Sequence, residues 1–253
     1  MQPLVEGSDT VRRYIGPILG LSLLALLAFP AATRAPLEYL FPDVPDVIYD
    51  RATLASLIAE HLLLVVVSTT AATVLGLLAG IAVTRRAGRP FLPLAQDLSS
   101  LAQTFPPVAV LALAVPILGF GFTPTVAALF IYSILPVLKN TIAGLDAVPS
   151  GLLEASTGMG MRPVERLLRT ELPLSARVIL AGVRTSVVLN VGTATIGATI
   201  GAGGLGRIII AGLVRDNPAW ILTGALAAAL LALLADWLFA RLDTTFYSAG
   251  EVL

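Results

Sequence analysis

The chain has 253 residues, 57% of them hydrophobic and 13% charged, with a mean hydropathy of +0.90, which is too apolar for a surface that water must wet. Its 16 basic and 16 acidic residues cancel, so no global field draws nucleic acid or an acidic polymer to it. The absence of cysteine excludes disulfides and thiolate chemistry, and with one histidine, His61, a zinc or iron centre would rest on scattered carboxylates.

The pattern predicts an all-α polytopic membrane protein, a single transmembrane domain over 1–253 with about six helices. A polar start ending in Arg12 and Arg13 leads into an apolar run from Ile15 to about Ala32, broken only by Gly16, Pro17, Gly20 and Pro30. It exceeds the roughly 7 to 15 apolar residues of a signal peptide and has no clean small-x-small site after it, so it reads as an uncleaved first span. The Pro-rich stretch from Arg34 to Glu60 carries Glu38, Asp43, Asp46 and Asp50 against Arg34 and Arg51, and reads as an aqueous loop with a short interfacial helix near 52–60. His61 to Thr84 is long enough to cross about 30 Å of hydrocarbon at about 1.5 Å per residue, and it ends at Arg85, Arg86 and Arg89. Leu101 to Phe120 and Pro124 to Gly144 form a third and fourth span, paired as a hairpin through a turn rich in Gly and Pro. A polar loop at about 146–177 follows, then a fifth span from Val178 to Ile200, a Gly-rich segment and a sixth span from Trp220 to Ala240.

Short basic loops resist translocation, and Arg12, Arg13, Arg85, Arg86, Arg89, Arg162, Arg166, Arg169, Arg177 and Arg241 all fall on one side of this six-span reading. That side is expected to be the cytoplasm, with both termini on it. Glycines four apart at Gly16/Gly20, Gly76/Gly80 and Gly197/Gly201 have the spacing that lets membrane helices approach closely.

The loop from Glu154 to Pro173 is the most informative segment. It reads as two short helices, the first stopping at Gly160, which suits a left-handed terminus, and the second opening at Pro163, where a missing N–H costs nothing. Val164, Leu167 and Leu168 give the second helix an apolar stripe among Arg162, Glu165, Arg166 and Arg169, and such a stripe needs a partner. Glu154, Ala155, Gly160, Leu172 and Pro173 resemble the EAA loop of bacterial ABC importer permeases, whose pattern is Glu-Ala-Ala, three residues, Gly, nine residues, Ile-x-Leu-Pro. Ser156 stands where that pattern has its second Ala, and Thr170 where it has Ile. The resemblance implies that these residues form coupling helices docking into a groove of a separate ATPase subunit.

From about Leu64 to Asp243 the chain is also similar to permeases of glycine betaine, choline and related quaternary-amine importers, most of all the smaller permease of Yeh-type osmoprotectant systems. The segments that carry this are 103–107, 179–185, 192–196 and 201–206. The likeness implies a type I importer: two permeases, identical or different, two ATPase subunits and an extracytoplasmic binding protein. This chain would itself hold no cofactor, with magnesium-ATP residing in the partner. Its one lysine, Lys139, ends no G-x-x-x-x-G-K-[ST] loop, in keeping with that division. Residues 201–206 do match G-x-G-x-x-G, but they follow a membrane span rather than a strand, so a flexible turn and helix break at the outer surface is the better reading.

Inside the apolar spans, Gln103, Thr104, Asn140, Asn190, Thr193 and Thr195 are candidates for lining a translocation path, and helix-to-helix hydrogen bonding explains each of them equally well. Arg184 and Asp236, both near the basic end of their spans, read as snorkelling or paired charges, and His61 as an interfacial polar residue without a role. The expected function is therefore the membrane-embedded permease of an ATP-driven importer for a small osmoprotectant. Alternatives are an amino acid or other small amine as cargo, or a secondary transporter, for which inverted repeats or embedded coupling acids would be needed. An intramembrane enzyme would need a convergent catalytic pair at depth, and none is evident.

Overall fold

The computed structural model describes residues 6–102 and 104–250, with side chains at 16–99 and 104–242. The described residues are helical throughout their ordered elements: α1 (Glu6–Leu27), α2 (Pro30–Leu40), α3 (Leu54–Thr84), α4 (Leu92–Ala102), α5 (Pro107–Leu118), α6 (Phe122–Asp146), α7 (Ser150–Gly158), α8 (Pro163–Arg166), α9 (Leu172–Thr193), α10 (Gly206–Arg215) and α11 (Pro218–Gly250). Four stretches are long and apolar enough to cross a membrane, namely 54–84, 122–146, 163–200 and 218–242, and the bent pair α1–α2 adds a fifth. α5 supplies a sixth apolar segment of only 12 residues, about 18 Å of rise.

Four boundaries differ from the sequence expectation, each for a local reason. The first apolar run stops at Leu27, and the chain turns by 89° because Pro30 opens a new helix at its first position, where it fits best. The segment at 52–60 is no separate interfacial helix: Thr53 caps α3, its side chain accepting the Ser56 N–H at 3.2 Å, so the second span begins at Leu54. The third span is broken at Pro106 and Pro107, since the residue before a proline disfavours the α region and Pro106 is extended at ψ 136°. Tyr132 donates its hydroxyl to the Phe105 carbonyl that the break exposes. Finally, the loop's second helix is not free-standing. From Pro163 the chain runs helically through a π turn at Leu167–Glu171 into α9, and Leu172 N–H reaches back five residues to the Leu167 carbonyl. The widened turn relieves the clash that Pro173 would otherwise make in a regular helix.

α5 and α6 form the expected hairpin, with Gly119 and Gly121 at φ +78° and +94° in the turn. α6 then lies between α3 and α9, and glycines set how close it comes. A Cβ on Gly80 would fall 2.6 Å from Thr141 Cγ2, and one on Gly182 would fall 2.6 Å from Asn140 Cβ and 2.7 Å from the Pro136 carbonyl. Between membrane helices there is no hydrophobic gain over lipid, so packing of this kind carries the association. Of the three glycine pairs in the sequence, Gly76/Gly80 packs as expected, Gly20 packs on Leu234 while Gly16 has open space, and Gly197 packs on Thr125 while Gly201 takes φ +82° at a helix end with its Cβ position open.

α9 and α11 are tied by a bidentate ion pair, Arg184 Nε to Asp236 Oδ1 at 2.6 Å and Nη2 to Oδ2 at 2.7 Å, so the two charges satisfy one another in the span. At the opposite end, α10 is an element the sequence reading left as a connector. It reaches α11 through Asp216 in a left-handed conformation (φ 53°) and Asn217, whose side chain accepts the Trp220 N–H at 3.1 Å and donates to the Asp46 carbonyl at 2.8 Å. Asn217 before Pro218 is a helix start by capping and by fixed φ. Trp220, 2% exposed, meets Tyr49 edge-on at 5.2 Å and anchors a core with Leu57, Leu64, Leu205 and Leu231.

Gly182→Ala is expected to force α6 and α9 apart and to lower stability by about 1–3 kcal/mol. Gly192→Ala, with nothing within 4 Å of its Cβ position, should leave it unchanged; thermal unfolding of the detergent-solubilised variants checks the contrast.

Candidate docking loop and polar seams

The basic end of the bundle is organised by one carboxylate. Glu171, 4% exposed, receives Arg85 Nη2 at 2.6 Å from the end of α3 and Arg166 Nε at 2.9 Å from α8. Two charge-assisted hydrogen bonds to one buried carboxylate fix both arginines in direction. Arg166 then extends Nη1 to Thr157 Oγ1 at 3.0 Å, so the same charge holds α7. Glu171 occupies the unspecified position of the Ile-x-Leu-Pro pattern, and sequence reading passed over it because nothing local marks a residue whose partner lies on a distant helix.

α7 ends as its sequence predicts. Gly160 has φ +82°, and its N–H bonds to the Thr157 carbonyl at 3.0 Å while Met161 N–H bonds to the Ser156 carbonyl at 3.1 Å, the two bonds of a Schellman terminus. Ser156 is buried, and its hydroxyl lies 3.1 Å from that of Thr170. The two positions at which the loop departs from the EAA pattern are therefore in contact, a hydroxyl pair standing where an Ala and an Ile would pack.

What the frame leaves outward is an apolar surface. Glu154, Ala155, Gly160 and Pro173 are exposed and Leu172 is half-buried, and around them stand Leu152, Met159, Val164 and Leu168 at 45 to 71% exposure. The stripe read from sequence is thus presented by Val164 and Leu168, with Leu167 partly covered. Glu165 and Arg169 flank it as an ion pair at 3.1 Å.

The polar residues of the spans do not gather into one site. Gln103 lies outside the described residues. Thr104 is exposed beside the Pro106 break. Asn140 donates to the Pro136 carbonyl at 2.9 Å on its own helix and packs beside Gly182. Asn190 is fully buried and bridges α9 to α3, its Nδ2 donating to Ser68 Oγ and Thr69 Oγ1, each at 3.0 Å. Thr193 and Thr195 are half-buried and return their hydroxyls to the Leu189 and Gly192 carbonyls at 2.8 and 2.7 Å.

His61 is corrected from interfacial to buried, with 0% exposure. Its Nδ1 accepts the Leu205 N–H at 3.3 Å, so Nε2 carries the proton and donates to the Val191 carbonyl at 2.9 Å. Beside it, Glu60 accepts the Gly204 N–H at 2.8 Å and pairs with Arg207 at 3.2 Å. The Gly-rich segment is accordingly clasped to the start of α3, rather than a loose turn. Its partners are some 144 residues away in sequence, which is why composition alone suggested flexibility.

Residues 72–246 match the family described as binding-protein-dependent transport system inner membrane component. The chain is 39% identical over 232 residues to the osmoprotectant import permease protein OsmY of Salmonella typhimurium, covering 91% of this chain and 94% of that protein. It is 38% identical over 204 residues to OsmW of the same organism, covering 78% and 93%, and 43% identical over 151 residues to the choline transport system permease protein OpuBB of Bacillus subtilis, covering 60% and 70%. Among solved structures, the inward-facing MetNI methionine ABC transporter superposes with a TM-score of 0.67 at 22% identity, over 76% of this chain and 95% of that one.

Ser156→Ala and Thr170→Ile are each expected to cost up to about 1 kcal/mol by removing the bond between the two hydroxyls, the one that remains keeping its second partner, the Leu152 carbonyl for Ser156 and Met161 Sδ for Thr170. The double variant should cost less than the sum, and a double-mutant cycle by thermal unfolding reads the coupling directly.

Proposed function

The chain belongs to the family of binding-protein-dependent transport system inner membrane components, and from that membership we propose that it imports a small osmoprotectant, glycine betaine or another quaternary amine, as one half of a translocation pathway. The chain is a multi-pass permease subunit of an ABC importer, a transport component and not an enzyme, with ATP hydrolysis in a separate subunit. In our reading 1–253 is one transmembrane domain, the basic end and both termini face the cytoplasm, and the chain works with two ATPase subunits, a second permease and an extracytoplasmic binding protein. Magnesium-ATP sits in the ATPase, and this chain holds no cofactor.

The observation that carries the coupling role is the exposed face of Leu152, Met159, Val164 and Leu168 around Glu154 and Gly160, mounted on a frame braced by the two ion pairs of Glu171. Glu171 ties that face to α3, and the unbroken helix from Pro163 to Ile200 joins it to the far end of the bundle. Movement of the ATPase against this surface would tilt α9 as a rod and shift its packing against α3, α6 and α11, which changes the side from which the path is open. The likeness to the methionine transporter, at 22% identity, supports the fold and does not favour an amino acid. The osmoprotectant names of the relatives at 38 to 39% identity support the cargo.

Co-purification from mild detergent should recover an ATPase whose activity rises when a cognate binding protein loaded with glycine betaine is added. Recovery of the chain alone, with solute flux indifferent to ATP, would sink the importer reading. Within the recovered complex, Glu154→Lys and Gly160→Trp should abolish stimulation while insertion persists. The second also forces a non-glycine residue into φ +82°, a conformation costing about 1–2 kcal/mol.

A further inference from the structure

α4 and α6 flank an open cleft of about 280 Å³ near the basic end, lined by the exposed Gln96, Lys139, Ala143 and Asp146 and the buried Ser99 and Ile142. Lys139 and Asp146 are seven residues apart on α6, hence on one face and about 10 Å apart along the axis. Ile142 and Ala143 form the floor between them. Gln96 and Ser99, one turn apart on α4, make the facing wall. Neither Lys139 nor Asp146 makes a side-chain hydrogen bond or ion pair with any described residue. By contrast, Arg184 and Asp236 on α9 and α11 satisfy each other directly. An ammonium two turns inside a membrane helix ordinarily finds a counter-charge, and here the nearest acid on its own face is held a molecule's length away.

We propose that this cleft binds a small zwitterion, its anionic group against the Lys139 ammonium and its cationic group against the Asp146 carboxylate. The apolar floor of Ile142 and Ala143 suits the methyl or methylene groups between the charges. The volume, just under the usual range of about 300–1,000 Å³ for drug-sized ligands, admits one small solute. Among the described residues no aromatic side chain lines the cleft, so the cation is met by a carboxylate and not by an aromatic cage. Position near the basic end makes it a site reached from the side opposite a binding protein. Two sources offer this chemistry: a free zwitterionic solute, and the headgroup of a zwitterionic phospholipid entering between α4 and α6. The inference draws on the proposed cargo only for the choice of probe.

The test is equilibrium binding without ATP, so that it can fail while the importer reading stands. The full chain in nanodiscs of phosphatidylglycerol alone is titrated with glycine betaine and followed by saturation-transfer NMR. Saturable binding is expected, weakened at least tenfold by Lys139→Gln and by Asp146→Asn. Choline should respond only to Asp146→Asn and acetate only to Lys139→Gln. Ile142→Trp, which fills the floor and keeps both charges, should also remove binding. If glycine betaine does not bind, but phosphatidylethanolamine is retained through purification by the wild type and lost from both charge variants, the zwitterion is the lipid headgroup. Glycine betaine binding that ignores all three substitutions, or retention of neither solute nor lipid, overturns the proposal.

Discussion

Helices in hydrocarbon gain nothing from hiding apolar side chains from lipid, so their association depends on how closely their backbones can approach. In this chain that constraint falls on α6. It passes between α3 and α9 with Gly76 and Gly80 offered from one side and Gly182 from the other, and its own Gly144 is 3.1 Å from Ser175 at the Cβ position. Everything else is placed relative to that wedge. The Asn190 bridge to Ser68 and Thr69 spans α9 and α3, and the Arg184 pair hangs α11 on α9's other flank. Polar contacts decide register and rotation here, while small residues decide distance.

The two ends of the bundle solve different problems. At the opposite end, backbone N–H groups of a glycine turn are fastened by Glu60 and His61, which keeps an irregular segment from leaving polar atoms unsatisfied where water is scarce. At the basic end, Glu171 gathers Arg85 and Arg166, and through Arg166 the loop helix α7 is bound to both α3 and α9. The outward face of the loop is thereby stiff beneath and apolar above, a combination suited to receiving force from a partner.

The crossings were legible in the sequence because apolar runs and flanking arginines are local signals, and so was the end of α7, because Gly160 and Pro163 punctuate it within four residues. The EAA spacing pointed to the loop whose exposed apolar face is the candidate docking surface. What escaped depended on partners far along the chain. His61 looks interfacial until Val191 and Leu205 are brought around it, and Glu171 looks like one more loop charge until Arg85 arrives from α3. The prolines told a mixed story: Pro30, Pro106 and Pro107 were visible in the apolar runs, but hydropathy bridged them, and only the backbone geometry showed that they end helices. Asn190 illustrates the remaining ambiguity, since an amide in an apolar span reads alike whether it meets a solute or, as in this fold, two hydroxyls of a neighbouring helix.

The π turn at Leu167–Glu171 has an evolutionary consequence. It absorbs one residue more than a regular turn would, so it sets the angular phase between the outward Val164 and Leu168 and everything that α9 buries beyond it. A single insertion or deletion between Leu168 and Gly182 would rotate one part against the other by about 100°, swinging either the exposed loop face out of its direction or Gly182 and Asn190 away from α6 and α3. Length in this stretch is therefore frozen by geometry, whatever happens to its side chains.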